Sequence, residues 1–343
     1  MKIDLLNKSS NLSIIIAGII SIIIGVGVAR FSFTSLLPQM LDSYLSLSFA
    51  GVLASVNYLG YLLGSIFAIF IKSINQKIKL YKIGLVLAVF STLILAWSKI
   101  EFLWLASRII SGFAASMCFV VGSAIVMSKL KIDDKTKAMG IHFSGIGFAI
   151  CAMELIVQSN ITFTVSWEYS WIYITIFGAL ISMYPIYIFT LEEHEKDNVV
   201  KYKINKTIFT PFVLIFIFVY FTEGIGFVVQ ATFLPDIINS VDGLEGMGSK
   251  TWLIVGVSGI FSCILWMRMA LRFGYINMIV LAMIIQVVGI LIPTVTTNVY
   301  LNLLSGVFYE GTFVGLVALF MSLGGKLIPE HPVVLMGSLT TAY

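Results

Sequence analysis

Ten separate apolar runs, each close to twenty residues or longer, dominate this chain. They fall at roughly 12–35, 49–71, 80–98, 102–128, 137–160, 169–191, 209–233, 251–270, 275–293 and 299–323. At 1.5 Å rise per residue, about 20 apolar residues cross the hydrocarbon core of a bilayer as one helix. Of the 343 residues 59% are apolar and 11% are charged, against about 25% charged in ordinary soluble domains. A water-soluble fold could not hide that much apolar surface, so lipid must be the solvent for most of it. The runs mix Ile, Leu, Val and Phe with scattered Gly, Ala and Ser, which suits helices packing closely on one another. The alternating segments of about ten residues that build outer-membrane barrels are absent from the sequence. The expected fold class is an all-α polytopic membrane protein.

The first eleven residues are polar and carry Lys2 and Lys8. The apolar run behind them exceeds the 7–15 residues of a signal peptide, and no small-residue cleavage site follows. It reads as an uncleaved first helix. Placing the N-terminus in the cytoplasm puts 17 Lys and Arg in loops on that side, from Lys2 to Lys326. The opposite side holds two, Lys99 and Lys250. That asymmetry is a positive-inside signal. The net charge of +4 is therefore a matter of topology, and no nucleic-acid partner is expected.

The longest cytoplasmic loop, 192–208, separates six runs from the next four, which suggests an N-terminal six-helix bundle (1–191), a linker and a C-terminal bundle (209–343). Two landmarks recur across that break. Gly25-Val26-Gly27 followed by Thr34-Ser35-Leu36-Leu37-Pro38 is echoed by Gly224-Ile225-Gly226 followed by Thr232-Phe233-Leu234-Pro235, the prolines 197 positions apart. Ser111-Gly112 is echoed by Ser305-Gly306, 194 apart. Parallel duplicated halves, as in major facilitator transporters, produce such offsets. A full second copy needs six spans. Four are present, and Pro332–Tyr343 would extend only ~18 Å as a helix, the start of an eleventh.

Ionisable residues inside a membrane are functional candidates by default, because each charge costs about 2.5 kcal/mol or more at mid-bilayer. Six qualify: Arg30 in the first span, Arg108 in the fourth, His142 and Glu154 in the fifth, Glu223 in the seventh and Glu310 in the tenth. Counting rise per residue, Arg30, Arg108 and Glu154 lie roughly 10 Å from the outer surface, and Glu223 and Glu310 roughly 15 Å. Spans one and seven correspond in a six-helix repeat, as do four and ten, so a central cavity would set two arginines against two carboxylates. Arginine can bind a carboxylate or phosphate with a fork of donors, and a buried glutamate can take up and release a proton.

The bland alternative makes Arg30, Arg108 and Glu154 a structural ion cluster, with Glu154 neutralising one arginine. His142, about five residues inside its span, reads as an interfacial histidine. Asn57, Tyr58, Tyr61 and Gln230 are polar enough to line a pathway or to join helices. Gly60-x-x-x-Gly64 and Gly311-x-x-x-Gly315 read as packing faces. Trp97, Trp104, Trp167, Trp171 and Trp252 fall near the outer boundary, as an aromatic belt would. Cys118, Cys151 and Cys263 have no metal spacing and read as packing residues.

Several strings resemble the YbfB/YjiJ-type family of bacterial major facilitator transporters. They are Gly27-Val28-Ala29-Arg30-Phe31 with Leu36-Leu37-Pro38, Asn57-Tyr58-Leu59-Gly60-Tyr61-Leu62-Leu63-Gly64, and Glu223-Gly224-Ile225-Gly226-Phe227 with Ala231-Thr232-Phe233-Leu234-Pro235. Gly311-Thr312-Phe313-Val314-Gly315, Leu335-Met336-Gly337 and Thr341-Ala342-Tyr343 add to them. The resemblance implies the major facilitator fold, with twelve helices in two bundles and alternating access to a cavity lined by helices 1, 4, 7 and 10, in a bacterial inner membrane. Arg30, Asn57, Tyr58 and Glu223 match the family strings. Glu310 stands where a small residue is expected, and the loop Lys72–Lys79 lacks the Asp and Arg of the usual gating motif.

The expected function is secondary transport of a small organic solute, coupled to protons, by a monomer without cofactor or bound metal. Arg30, Arg108, Asn57, Tyr58, Glu223, Gln230 and Glu310 are the candidate pathway residues. A non-transporting remnant or scaffold is the alternative, resting on the chain's stopping at Tyr343. An enzyme is not expected: the sequence has no His-Glu-x-x-His and no P-loop.

Overall fold

The computed structural model describes residues 6–132, 135–163, 165–191, 210–239, 245–295, 299–329 and 331–343. The linker 192–208 lies outside the described residues, as do the side chains of Gln230 and Glu310. Among the described residues ten helices are long and apolar enough to cross a membrane. They are α1 (Asn11–Ser43), α2 (Leu47–Ile69), α3 (Ile74–Trp97), α4 (Glu101–Lys129), α5 (Thr136–Thr162) and α6 (Trp167–Ile188). After the linker come α7 (Pro211–Asn239), α8 (Gly248–Phe273), α9 (Tyr275–Val295) and α10 (Val299–Leu327). A shorter apolar helix follows, α11 (Pro332–Ala342). The spans expected from hydropathy are all present, and the last stretch is helical.

Local chemistry sets several boundaries. Ser46 and Ser73 cap α2 and α3 by accepting hydrogen bonds from the backbone N–H of Phe49 and Gln76, which satisfies donors the first turn leaves free. A single residue, Gly274, separates α8 from α9. Its φ of 85° lies in the left-handed region that glycine enters without a Cβ penalty. In α1 the backbone widens to a π-helical segment, Ile23–Phe31. Such segments shift the facing of a side chain and recur at functional sites; this one carries Arg30.

Large apolar side chains such as Phe90, Leu180, Phe218 and Phe261 stand exposed around the outside. An exposed girdle of that kind matches a lipid-facing surface. Small residues bring the helices together inside. A Cβ on Gly60 would overlap the carbonyl of Ile109, and one on Gly112 would overlap that of Asn57, so α2 and α4 touch backbone to backbone. The first six helices meet the later ones chiefly through α5 against α8, α2 against α11 and α1 against α7.

Two expectations are corrected here. Of the five tryptophans read as an outer belt, Trp97 is 86% exposed, but Trp104, Trp167, Trp171 and Trp252 are buried. Trp104 and Trp167 stack edge to face at 6.0 Å, and Trp252 meets Phe31 at 5.5 Å. These rings pack helix against helix rather than against lipid headgroups. His142 is likewise inside, fully buried, with Nε2 2.8 Å from the Ser123 hydroxyl and its ring against Gly18 of α1. A helix register within a turn of the membrane boundary does not say which way the ring points.

Candidate functional site

Arg30 projects from the widened part of α1 into the middle of the bundle. Its guanidinium carbon lies 4.4 Å from the centre of the Tyr58 ring and 5.4 Å from that of Tyr61, both on α2. Phe227 of α7 is 5.8 Å away. The rings hold the cation by their negative faces. Arg30 Nη2 is buried with no hydrogen-bond partner. A donor left unmatched in a dry site is costly, and it marks a place where an acceptor can bind.

Two cavities share this arginine. The outer one, toward the C-terminal end of α1, is bounded by Arg30, Phe33, Thr34, Asn57, Arg108 and Thr232 among others. The inner one lies between Arg30 and a wall of rings that includes Tyr61, Phe119, Tyr220, Phe227, Phe313 and Tyr343. Tyr343 stacks on Tyr220 at 4.7 Å and Phe227 on Phe313 at 4.6 Å, so α7, α10 and α11 present one continuous aromatic face. Tyr58 and Thr232 also line the outer cavity, and there the Tyr58 hydroxyl joins α2 to α7 by reaching the Thr232 hydroxyl at 3.3 Å.

Arg108 is 2% exposed. Its Nη1 donates to the Ala29 carbonyl at 3.1 Å, its guanidinium faces the Phe33 ring at 4.9 Å, and its Nε has no partner. Asn57, expected to line a pathway, does touch the outer cavity. Yet its amide is spent on structure, donating to the Arg108 carbonyl at 2.9 Å and the Ser111 hydroxyl at 2.8 Å. It ties α2 to α4 beside the arginines.

The carboxylates lie apart from them. Glu154 accepts a hydrogen bond from Gln158 at 2.8 Å, with Ser35 and Ser249 facing it. Among the described residues no salt bridge joins Glu154 to an arginine; the pair found is Lys99–Glu168 at 3.3 Å, between the α3–α4 loop and the first turn of α6. Glu223 is 5% exposed, and both its oxygens are buried without a partner in hydrogen-bonding geometry. Gln286 of α9 and Tyr343 of α11 face it. Tyr343 also borders the inner cavity, so one phenol stands between the carboxyl and the chamber of Arg30.

The sequence reading placed Arg30, Arg108, Tyr58 and Glu223 in this region, and all four are there. It missed Tyr220, Phe227, Phe313 and Tyr343, which form the wall, Thr232, which meets Tyr58, and Gln286, which faces Glu223. Phe227, Phe313 and Tyr343 stood within the family strings, the one signal that singled them out from other apolar residues.

The comparisons with known proteins agree with this architecture. A family model described as "Uncharacterised MFS-type transporter YbfB" matches residues 22–343. The chain belongs to this family of major facilitator transporters. No curated protein matches it by sequence. Among solved structures it is similar to the proton:xylose symporter XylE bound to 6-bromo-6-deoxy-D-glucose, at 14% identity and a TM-score of 0.73, covering 98% of this chain and 86% of that one. It is also similar to a D-xylose-proton symporter, at 16% identity and a TM-score of 0.66, covering 97% and 89%. At such identities the likeness shows the fold, which is the major facilitator fold. The chain is thus a multi-pass membrane protein of a transporter family.

Proposed function

We propose that the protein moves a small organic solute across a bacterial inner membrane together with protons, by alternating access to the chamber of Arg30. The observation that carries this reading is an unmatched arginine donor at the chamber with a buried carboxyl, Glu223, one tyrosine away and faced by neutral groups, Gln286 and Tyr343. A carboxyl that gains or loses a proton changes its charge without moving, and that change can bias one conformation over another. Arg30 and Arg108 act on the solute side, and Glu223, with Glu310 and Gln230 on the same pathway, on the proton side. The two structural neighbours, both proton–xylose symporters, point the same way.

In this reading residues 1–191 and 209–343 are two parallel bundles that rock about the chamber, with the N-terminus and the linker 192–208 in the cytoplasm. The helix contacts support it. Adding six to the pair α5 and α8 leads from α5 to α11, and subtracting six leads from α8 to α2. The pair α11 and α2 is the other main contact between the two groups. One copy of the chain encloses the chamber, as a monomeric transporter requires.

The test is uptake of labelled organic solutes into cells or vesicles carrying the protein, with and without a protonophore. Accumulation above equilibrium that collapses when the proton gradient is dissipated is the expected result. Accumulation that ignores the protonophore, or that follows sodium instead, would refute proton coupling.

A further inference from the structure

Resting on the transporter reading, we infer that the inner chamber is built for a monocarboxylate with a flat or otherwise apolar body, and not for a sugar. Three observations lead there. The first is charge. Arg30 faces the chamber, its Nη2 is unmatched, and among the described residues no carboxylate pairs with it. A ligand oxygen anion completes that donor set, and a carboxylate fits the planar fork of a guanidinium.

The second is the wall. Besides Arg30 the lining consists of rings and aliphatic side chains, including Phe31, Phe119, Phe227, Phe313 and Val317. The remaining polar groups are tyrosine hydroxyls and Thr340, whose own hydroxyl is spent on the Met336 carbonyl at 2.8 Å. A pentose or hexose presents hydroxyls all round its ring, each needing a partner once dry. This wall offers too few. An apolar body loses nothing on entering it and gains contact with the ring faces.

The third is the charge number. Arg108 is the other buried guanidinium, and it belongs to the outer cavity, tied to the Ala29 carbonyl. Among the described residues the inner chamber therefore meets its ligand with one cation, enough for a single negative charge. A phosphate monoester carrying about −1.5 to −2 would remain partly uncompensated.

The experiment is equilibrium binding of radiolabelled benzoate to the purified full chain in detergent, where passive leak of a weak acid across a bilayer plays no part. Saturable binding is expected, displaced by phenylacetate and hexanoate but not by benzyl alcohol, phenyl phosphate or D-xylose. Arg30→Gln should weaken benzoate binding roughly 10- to 100-fold, the range for losing a charge-assisted contact. Its size-exclusion profile and melting temperature report whether it folds. Phe313→Ala leaves Arg30 in place and should shift preference toward carboxylates with bulkier bodies, which a purely structural role would not do. No benzoate binding, displacement by D-xylose, or equal binding by folded Arg30→Gln would each overturn the inference. Because binding needs no gradient, benzoate binding without proton-driven flux would fault the coupling reading and leave this one standing.

Discussion

The Arg30 guanidinium lies over the Tyr58 ring, its carbon 4.4 Å from the ring centroid, while the same tyrosine reaches α7 through Thr232. One side chain thus contacts Arg30 and joins α2 to α7, where in the transporter reading it closes one side of the chamber. Substitution can separate the two roles. Tyr58→Phe keeps the ring and loses the hydroxyl. In a background without the three native cysteines, a cysteine replacing Thr34 should react faster with an impermeant maleimide in Tyr58→Phe than with Tyr58 intact. Tyr58→Leu also removes the cation–π contact, worth about 0.5–2 kcal/mol, and should melt at a lower temperature than Tyr58→Phe. Equal labelling rates in all three proteins would show that Tyr58 does not close the outer side.

Packing of α2 on α4 leaves no room for a side chain at Gly60, where an added Cβ would overlap the Ile109 carbonyl. Gly60→Val should therefore cost more than the roughly 1–3 kcal/mol usual for overpacking and leave little monodisperse protein. Gly226→Ala is the matched control, since nothing lies within 4 Å of its added Cβ. It should express and elute like the wild type, and comparable yields from both variants would contradict the described helix contact.

Asn57 belongs to the family strings but works here as a clasp between helices. Asn57→Leu should lower stability by about 1–2 kcal/mol through the lost amide hydrogen bonds, read as a lower melting temperature in detergent. Its effect on KM should be small beside that of Arg30→Gln. A large rise in KM with unchanged melting temperature would make Asn57 a ligand contact instead.

Single-tryptophan proteins test the corrected aromatic arrangement. With brominated lipids, fluorescence of Trp97 alone should be strongly quenched, because it is 86% exposed. Fluorescence of Trp171 or Trp252 alone should be quenched little. Equal quenching at all three sites would restore the belt.

How far the sequence led can be read from particular residues. Helix positions follow from hydropathy because each span must satisfy its backbone internally, so α1 to α10 lie where the apolar runs do. Arg30, Arg108 and Glu223 announce themselves because a charge in lipid is expensive. Facing is different. Phe227 and Phe313 on the chamber wall and Phe218 and Phe261 on the outer surface are chemically alike, and lipid is as apolar as a protein core, so periodicity does not separate them. The same gap explains Trp104 and Trp252, read as facing the lipid boundary and found buried between helices. Glu154 shows the converse: its depth matches that of the arginines, but its side chain turns to Gln158.

The central claim, that a proton on Glu223 drives solute accumulation, is tested most directly by comparing Glu223→Gln with wild type in proteoliposomes. Net uptake down an imposed proton gradient and solute exchange without a gradient are measured on the same preparation. The account predicts that Glu223→Gln retains exchange, because the chamber of Arg30 is intact, and loses gradient-driven accumulation. Accumulation at the wild-type level by Glu223→Gln would contradict it.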